Sequence, residues 1–593
     1  MRVGFVVAVL LTVGLFATSL VYAQAPDEAA KARQERARAL LLETIGQIHE
    51  LRLPENRAHM YTQAGNLLWG DDRSQAESLF AAAGDELVAL LDPGVHHGPN
   101  FDNKVINYRQ QILNSIGNMD AAFALTLLER TRPPVIADAM AARDAKDGRI
   151  RDTQNNSLNL LRNEAYLESS LIRSAAMQSP ERAVSILKAG LARPFSNLTF
   201  DQLWQLAEKD PAAATEASSF VLARLQQSPF MRNGQMDYTV VSLSTQLLDT
   251  SLNETDNETK LKLDPSAIRV LAGKVVNAYL SDKNIRGYMS GDNVIRYAQK
   301  YIPAAVEEIK AVNPRATPSQ PDPREKAYSD LMQKAPDQML SGASKFTEYQ
   351  RQQLYNSAAN KYVEQGNVAS ARSIIEQNYD GEARRRALEE FDRNYFNRLL
   401  NGGKFQEAEA VASSMPIEER VTMLTSLALR VMQIDQKSGH ERALSYLATA
   451  RGLTGEQPQT QAEMSRTMFV VGAYAQLDPS TALDILEPMT SKMNDVMDAS
   501  AVVLGFEGNS GVRDGEFVVM DGALGRFSID AGAIARCAEA DLERTAKFAD
   551  SFSHPEVRVS LRLQMLQNGL ASIAMRQIVP LPINRRTLLQ RRY

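Results

Sequence analysis

The chain has few of the residues from which most disulfide, metal and thiol sites are built. Its 593 residues include one cysteine, two tryptophans and six histidines. A single cysteine excludes an intramolecular disulfide, so no disulfide framework holds this fold. Cys537 lies in a helical pattern. We interpret it as a small buried residue, because a catalytic thiol needs a positioned histidine that the sequence does not offer.

A strong excess of either charge is also missing. Lys and Arg total 66 and Asp and Glu total 71, which gives a net charge of −5. Nucleic-acid-binding domains concentrate basic residues on one face, and we predict no nucleic-acid partner here. A solvated terminus explains the basic cluster of the C-terminal tail better than a binding site does. It consists of Arg585, Arg586, Arg591 and Arg592.

Long hydrophobic runs are missing everywhere except at the N-terminus. Arg2 precedes an apolar stretch, 3–20, and Val21-Tyr22-Ala23 then places small residues before Gln24. This is the pattern of a secretory signal peptide with its cleavage site, so we predict that 1–23 is removed and that the chain is exported, to the periplasm or the extracellular space. No integral membrane span is expected after cleavage. A membrane anchor formed by an uncleaved N-terminal segment is the alternative, because the stretch is long enough to span a bilayer.

Motifs that bind phosphates, cofactors or metals are missing as well. The sequence has no G-x-x-x-x-G-K-[ST] loop, no strand-led G-x-G-x-x-G and no calcium loop of alternating Asp residues. His96 and His97 lie near Asp92 and Asp102 in a Gly- and Pro-rich loop. Neighbouring side chains on an extended loop point apart, so we interpret this loop as solvated. We predict no catalytic residue, no cofactor-binding residue, no metal ligand and no cofactor.

Three residues could be read as catalytic, but we interpret each of them as a structural residue. The run Glu77-Ser78-Leu79-Phe80 matches the letters around the acid of the bacterial lytic transglycosylases, but 81–85 lacks the context of that domain. We interpret Glu77 as a helical surface residue. His49 and His59 lie in helical pattern and are expected to be packed or on the surface. A pair of carboxylates for glycoside cleavage elsewhere stays open, because their separation needs a structure.

The pattern that dominates the chain is helical. Asp264-Pro265 shows how the helices begin, because Asp264 can accept from free N–H groups and Pro265 needs no N–H at the first helical position. The same start occurs at Ser179-Pro180, Asp210-Pro211 and Asp478-Pro479, and capping-box spacing occurs at Thr199/Gln202 and Thr347/Gln350. The clearest strand signal is 516–520, between Asp514-Gly515 and Asp521-Gly522, which predicts a short β-hairpin or loop insert near 512–528.

The helices recur with a common spacing. A capping or turn residue is followed four residues later by Ala and, as a rule, seven residues later by a large apolar residue. The starting residues are Asp120, Ser179, Asn367, Lys404, Gly439 and Asp478. A small side chain lets two helix axes approach, and one helix pair cannot bury its apolar face alone. We therefore predict an all-α fold, an α-solenoid or superhelix of stacked antiparallel helix pairs.

Three sets of residues carry a family resemblance, and two of the sets belong to these units. Tyr362, Gly366, Ala371 and Ile375 have the offsets of the Tyr, Gly, Ala and Phe positions of the tetratricopeptide repeat. Two further sets have the same offsets, namely Leu399, Gly403, Ala408 and Ala412, and Leu67, Asp71, Ala76 and Phe80. The chain resembles the tetratricopeptide-like superfamily of helical-hairpin repeats in scattered units. The resemblance implies helix pairs in an array, and such arrays mostly bind other proteins.

The predicted organisation has two halves. An N-terminal helical array, 24–312, is followed by a Pro-rich linker or long loop, 313–326, and a C-terminal helical-repeat array, 327–593. The polar stretch 251–262 is predicted to be a surface loop, in which Asn253 and Asn257 begin glycosylation sequons.

Three functions remain after these exclusions. The first is an exported protein–protein interaction scaffold or adaptor that holds a protein or peptide in a solenoid groove, without catalytic activity. The second is a glycan-acting enzyme on a helical scaffold, so enzymatic activity is left undecided. The third is a structural component of the cell envelope that assembles through its repeats.

Overall fold

The structure is a computed structural model that describes most of the chain. The described residues are 28, 31–91, 101–144, 155–179, 184–185, 195, 199–232, 235–252, 261–312, 323–435, 438–506, 511–521 and 529–577. They belong to two compact units. The first unit takes its described residues from Met1–Arg315, Ala501–Asp521 and Gly569–Tyr593, and the second from Ala316–Ser500 and Gly522–Asn568.

The first unit is helical apart from two strand pairs. Its helices are α1 (31–48), α2 (Pro54–Leu68), α3 (Arg73–Ala89), α4 (Phe101–Met119), α5 (Ala121–Arg130), α6 (Pro134–Asp144), α7 (Asn155–Gln178), α8 (Thr199–Lys209), α9 (Pro211–Gln227), α10 (Tyr238–Leu252), α11 (Pro265–Ser281), α12 (Lys283–Tyr288), α13 (Gly291–Tyr301) and α14 (Val306–Val312). Its strands are β1 (Met231–Arg232), β2 (Gln235–Met236), β3 (Val512–Arg513) and β4 (Glu516–Phe517). Each pair is antiparallel, β1 with β2 and β3 with β4.

The second unit consists of helices within its described residues. They are α15 (Pro323–Met332), α16 (Pro336–Gly342), α17 (Glu348–Glu364), α18 (Val368–Asn378), α19 (Gly381–Asn401), α20 (Phe405–Ser414), α21 (Ile417–Ile434), α22 (Gly439–Thr454), α23 (Gln461–Leu477), α24 (Pro479–Phe506), α25 (Ala531–Ala540), α26 (Leu542–Asp550) and α27 (Pro555–Gln577). The ends of α24 and α27, from Ala501 and from Gly569, are assigned to the first unit. Within the described part of the chain, no helix is long and apolar enough to cross a membrane.

The predicted fold class is confirmed. Within each unit, a helix packs mainly against the next helix in sequence and the one after it, as in a solenoid of helix pairs. The hairpin predicted near 512–528 is present as β3 and β4, and 522–528 lies outside the described residues. The pair β1 and β2 was not predicted, although the sequence Asn233-Gly234 between the two strands is a strong hairpin signal.

The helix starts predicted at Asp210 and Asp264 and the capping box predicted at Thr347 are present. At the predicted pair Thr199/Gln202, the Gln202 side chain donates to Ser169 O at 2.7 Å. The Asp210 side chain accepts from the amides of Ala212 and Ala213 at 3.0 Å, and Asp264 accepts from Ser266 at 2.9 Å. A capping box joins Thr347 and Gln350 in both directions. Local side-chain chemistry therefore fixes where these helices begin.

The repeated alanines lie in the contacts between helices. Each one that the structure describes has no exposed surface, namely Ala124, Ala371, Ala408, Ala443 and Ala482. Ala183 lies outside the described residues. The glycines of the two resembling units end their helices with positive φ, 78° at Gly366 and 70° at Gly403. The amide of Asn367 then donates to the Tyr362 carbonyl at 2.8 Å, which closes the helix end with a Schellman bond.

Lysines from neighbouring helices satisfy other helix ends. The Lys274 ammonium group donates to the carbonyls of Leu225 and Gln226, at 2.5 and 3.2 Å, where α9 ends. The Lys361 ammonium group likewise donates to Met332 O, at the end of α15, at 3.0 Å and to Lys334 O, just beyond it, at 2.7 Å. Carbonyls that lack an intrahelical partner thus gain charged donors, and each lysine fixes one helix against another.

The predicted chain divisions stay predictions. The signal peptide 1–23 lies outside the described residues, as does 313–322 of the predicted linker. Helix α15 starts at Pro323, inside the segment assigned to that linker.

Candidate functional site

The second unit contains an open cleft between the start of α23 and the middle of α24. Its volume is about 590 Å³. The lining residues come from the segment before α23, from the first turn of α23 and from one face of α24. They are Pro458, Gln459, Thr460, Gln461, Met464, Lys492, Met493, Val496 and Ser500.

Local hydrogen bonds hold the wall of the cleft that precedes α23. Thr460 is the N-cap residue of α23, and its side chain accepts from the amide of Glu463 at 3.2 Å. The Glu463 carboxylate accepts from the amide of Gln459 at 2.6 Å, and this backbone hydrogen bond helps to hold the pKa of Glu463 below its usual range. The spacing of Thr460 and Glu463 is that of a capping box, so the sequence itself marks this helix start.

The lining is apolar at its base and carries one charged side chain. Met493 is buried, Met464 is half-buried, and Val496 keeps 39% of its surface exposed. Lys492 is exposed and makes no hydrogen bond or ion pair within the described residues. Among the described residues, those that line the cleft include no carboxylate. Methionine side chains adapt to irregular apolar partners, so this arrangement suits an apolar side chain beside a negative group.

The opposite face of α24 is clamped to the turn before α27. The Asn494 amide group donates to Ser551 O at 2.9 Å and accepts from the Ser553 amide at 3.0 Å. The two ring nitrogens of His554 face two carboxylates, with Nε2 at 3.0 Å from Asp498 Oδ1 and Nδ1 at 3.2 Å from Glu556 Oε1. A neutral imidazole has one N–H and cannot donate to both. The hydrogen bond to Glu556 accordingly raises the pKa of His554, against the effect of burial.

This clamp predicts a stability that falls as the pH rises. A histidine whose pKa is raised by folding contributes to the free energy of unfolding. The contribution is fully present below the pKa of the unfolded chain, about 6.5, and is lost as the pH rises through the pKa of the folded chain. We expect His554→Gln to lower the free energy of unfolding by about 1.5–3 kcal/mol at pH 6, and by less at pH 9. Urea denaturation at both pH values measures this, with His440→Gln, an exposed histidine, as the control. Equal losses at the two pH values would contradict it.

The structure places the residues that the sequence singled out as follows. Cys537 is buried, and burial raises the pKa of its thiol to about 11. Glu77 lies on the surface of α3 and pairs with Arg73 at 2.9 Å. His59 contacts the Gln63 side chain at 2.8 Å, and burial lowers its pKa to about 4, while His49 is exposed. These positions agree with the structural interpretation of each residue.

Other predicted positions lie outside the described residues. They are the loop with Asp92, His96 and His97, and the sequons at Asn253 and Asn257. Among the residues that the structure describes, no group of three or more His, Cys, Asp or Glu side chains could hold a metal ion.

Sequence reasoning did not find the cleft. Met464, Met493 and Val496 follow the same helical periodicity as residues of a core, so nothing in their spacing distinguishes them. The capping box at Thr460 could have located one wall, but the approach of α24 depends on packing across the unit.

The fold is that of an all-α protein of stacked helix pairs, and the described residues of its second unit form an open cleft. No protein-family model matches the chain, and no curated protein matches it. One solved structure that does match is a circular tandem repeat protein with a novel repeat topology and enhanced subunit contact surfaces. It is 11% identical, the match covers 91% of this chain and 98% of that chain, and the TM-score is 0.11.

Proposed function

We propose that the protein is an exported interaction scaffold that binds a protein or peptide partner and catalyses no reaction. The observation that carries this proposal is the open cleft, whose described lining includes Met464, Met493 and Val496 and contains no carboxylate. Hydrolysis of a glycosidic bond needs two facing carboxylates, so the cleft supports binding and not acid–base chemistry. Arrays of helix pairs supply extended surfaces of this kind for proteins and peptides.

The lining also supports a partner of particular chemistry. The apolar lining from Met464, Met493 and Val496 would suit an apolar side chain such as that of leucine or methionine. A carboxylate next to it on the same peptide would pair with Lys492, which has no partner within the described residues. Opposite charge at the edge of an interface favours one partner over others more than it adds affinity.

Selection from a phage-displayed random peptide library tests the proposal, with the chain from Gln24 onward as bait. We expect a consensus of an apolar residue beside Asp or Glu. Val496→Arg should weaken its binding at least tenfold, or about 1.4 kcal/mol, because it fills the cleft with a charge. Val502→Arg is the matched control, because Val502 is 71% exposed on the same helix and does not line the cleft.

Two results would contradict the proposal. One is the absence of any enriched consensus, and the other is an equal loss of binding in the Val496 and Val502 variants. A consensus that keeps its acidic residue in selections against Lys492→Glu would contradict the role of Lys492 alone.

One observation favours the structural envelope component as the second candidate. The C-terminal turns of α24 expose apolar side chains, with Val502 71%, Val503 54% and Phe506 93% exposed. Exposed apolar patches mark surfaces for association. Association that rises with concentration in sedimentation velocity, and is lost in Phe506→Ser, would support this candidate.

A further inference from the structure

The hairpin of β3 and β4 folds on itself and packs into the first unit. Val512 pairs with Phe517 and Arg513 with Glu516 across a two-residue turn, in which Asp514 and Gly515 have φ values of 52° and 74°. Positive φ at both positions is the geometry that a tight hairpin turn needs. The side chains of Val512, Phe517 and Val518 are buried.

Hydrogen bonds join this hairpin to the start of α2. The Glu516 carboxylate accepts from the Arg52 amide at 2.7 Å and from Asn56 Nδ2 at 2.8 Å, across a sequence separation of 460 residues or more. Asn56 also donates to Phe517 O at 2.7 Å and accepts from the Val519 amide at 2.9 Å. The N-cap residue of α2, Leu53, has no capping side chain, so the distant Glu516 supplies the negative charge that a helix start favours.

A buried ion pair completes the contact. Arg513 Nη2 lies 2.6 Å from Glu55 Oε2, and the Glu55 side chain is 1% exposed. The other carboxylate oxygen of Glu55 is buried without a hydrogen bond. Burial raises the pKa of Glu55, in opposition to the attraction of Arg513. Beside these charges, Val518 packs against Leu53 and Tyr108.

The helices that receive the hairpin share a buried core of their own, against which Met520 of the hairpin segment is partly buried. The core of α2 to α5 joins residues such as Ala58, Phe80, Val105 and Leu127, which lie close together in sequence. Desolvation offsets most of the attraction within buried ion networks, so such a network specifies a partner more than it stabilises it. The hairpin is therefore matched to its site by charge and hydrogen bonding, and the buried side chains of Val512, Phe517 and Val518 add apolar contact.

We propose that residues 511–521 are a strap that binds the start of α2 and the Tyr108 side of α4 as a separate ligand would. The strap leaves and returns while the helices of the first unit stay folded. The surface beneath it, formed by Leu53, Glu55, Asn56 and Tyr108, is then a binding site for a β-hairpin with Arg and Glu on opposite strands. The proposal is independent of the cleft in the second unit.

Hydrogen exchange of the full chain is the first test. We expect the amides of Val518 and Val519 to exchange at least tenfold faster than the amides in the middle of α2. Asn56→Ala should speed the exchange of the Val518 and Val519 amides and leave the exchange of the α2 amides unchanged. Exchange of both sets at one rate, or an equal acceleration of both in the variant, would show that the hairpin opens only with the whole unit and would overturn the proposal.

Binding in trans is the second test. The probe is a fluorescein-labelled peptide of residues 511–521, titrated by anisotropy into a full chain whose own strap carries Glu516→Gln, Phe517→Ser and Val518→Ser. We expect saturable binding, at least tenfold weaker for a peptide carrying Glu516→Gln, and weaker for the wild-type chain because its site is filled. Absence of binding to a variant that keeps its helical circular dichroism would overturn the proposal, as would unfolding of that variant.

Discussion

Replacing Arg109 by alanine should lower the free energy of unfolding of the first unit by about 3–5 kcal/mol. The Arg109 side chain is 1% exposed, and its two terminal nitrogens lie 2.6 and 3.0 Å from the carboxylate of Glu164, itself 4% exposed. Arg109 also donates to Leu128 O at 2.6 Å and to the Thr131 hydroxyl at 3.0 Å. One guanidinium group therefore joins α4 to α7 and to the end of α5.

The loss is large because the alanine leaves other groups buried without a partner. Glu164 would keep only its bond to Arg132, at 3.0 Å, and the Leu128 carbonyl would lose its charged donor. Urea denaturation followed by circular dichroism measures the loss. Lys310→Ala is the matched control, since Lys310 is 53% exposed and pairs with Glu307 on the surface, where such pairs contribute less than about 1 kcal/mol.

A double variant separates the loss of the ion pair from the cost of leaving one buried charge without its partner. Arg109→Met with Glu164→Leu removes both charges and keeps most of the volume, so it should recover much of the loss, as replaced buried ion pairs do. A single-variant loss below 1 kcal/mol would contradict the prediction. So would a double variant that is less stable than Arg109→Ala.

The sequence predicts those parts of this fold that depend on local chemistry. Asp210 and Asp264 begin helices because a carboxylate and the next amides are always within reach of one another. Ala408 is buried because a small residue recurs where helices approach, and Gly403 takes a positive φ that other residues avoid. The turn Asp514-Gly515 predicts its hairpin for the same reason.

Contacts between distant segments could not be predicted. Glu516 meets Asn56 across 460 residues, and no periodicity relates the two positions. Arg109 and Glu164 each occur in an ordinary helical pattern, so nothing in the sequence separates a buried pair from two surface charges. The same holds for Met464 and the cleft. The cleft depends on which helices pack against one another. The repeat pattern indicates only that helices pack in pairs.

Replacing Phe80 by alanine should also lower the free energy of unfolding by about 3–5 kcal/mol. The Phe80 ring is fully buried and lies 5.8 Å from the ring of Trp69 and 6.4 Å from that of Phe123, between centroids. It packs over Gly65 of α2, where an added Cβ would lie 2.5 Å from Phe80 Cε1. The approach of α2 and α3 therefore depends on the absence of a side chain at residue 65.

This contact predicts that the effect of Gly65→Ala changes sign. In the wild-type chain the new methyl group must displace a ring held by two aromatic neighbours, so Gly65→Ala should destabilise, by about 1–3 kcal/mol. In the Phe80→Ala chain the methyl group enters the vacated space, and the helical preference for alanine over glycine should make it stabilising by about 0.5–1 kcal/mol. Gly46→Ala is the control, because its added Cβ would meet no described atom within 4 Å beyond its chain neighbours and the adjacent backbone of its own helix, and it should stabilise both backgrounds equally. A double-mutant cycle by urea denaturation measures the coupling, and a coupling free energy near zero would mean that α2 and α3 can move apart to accept a methyl group.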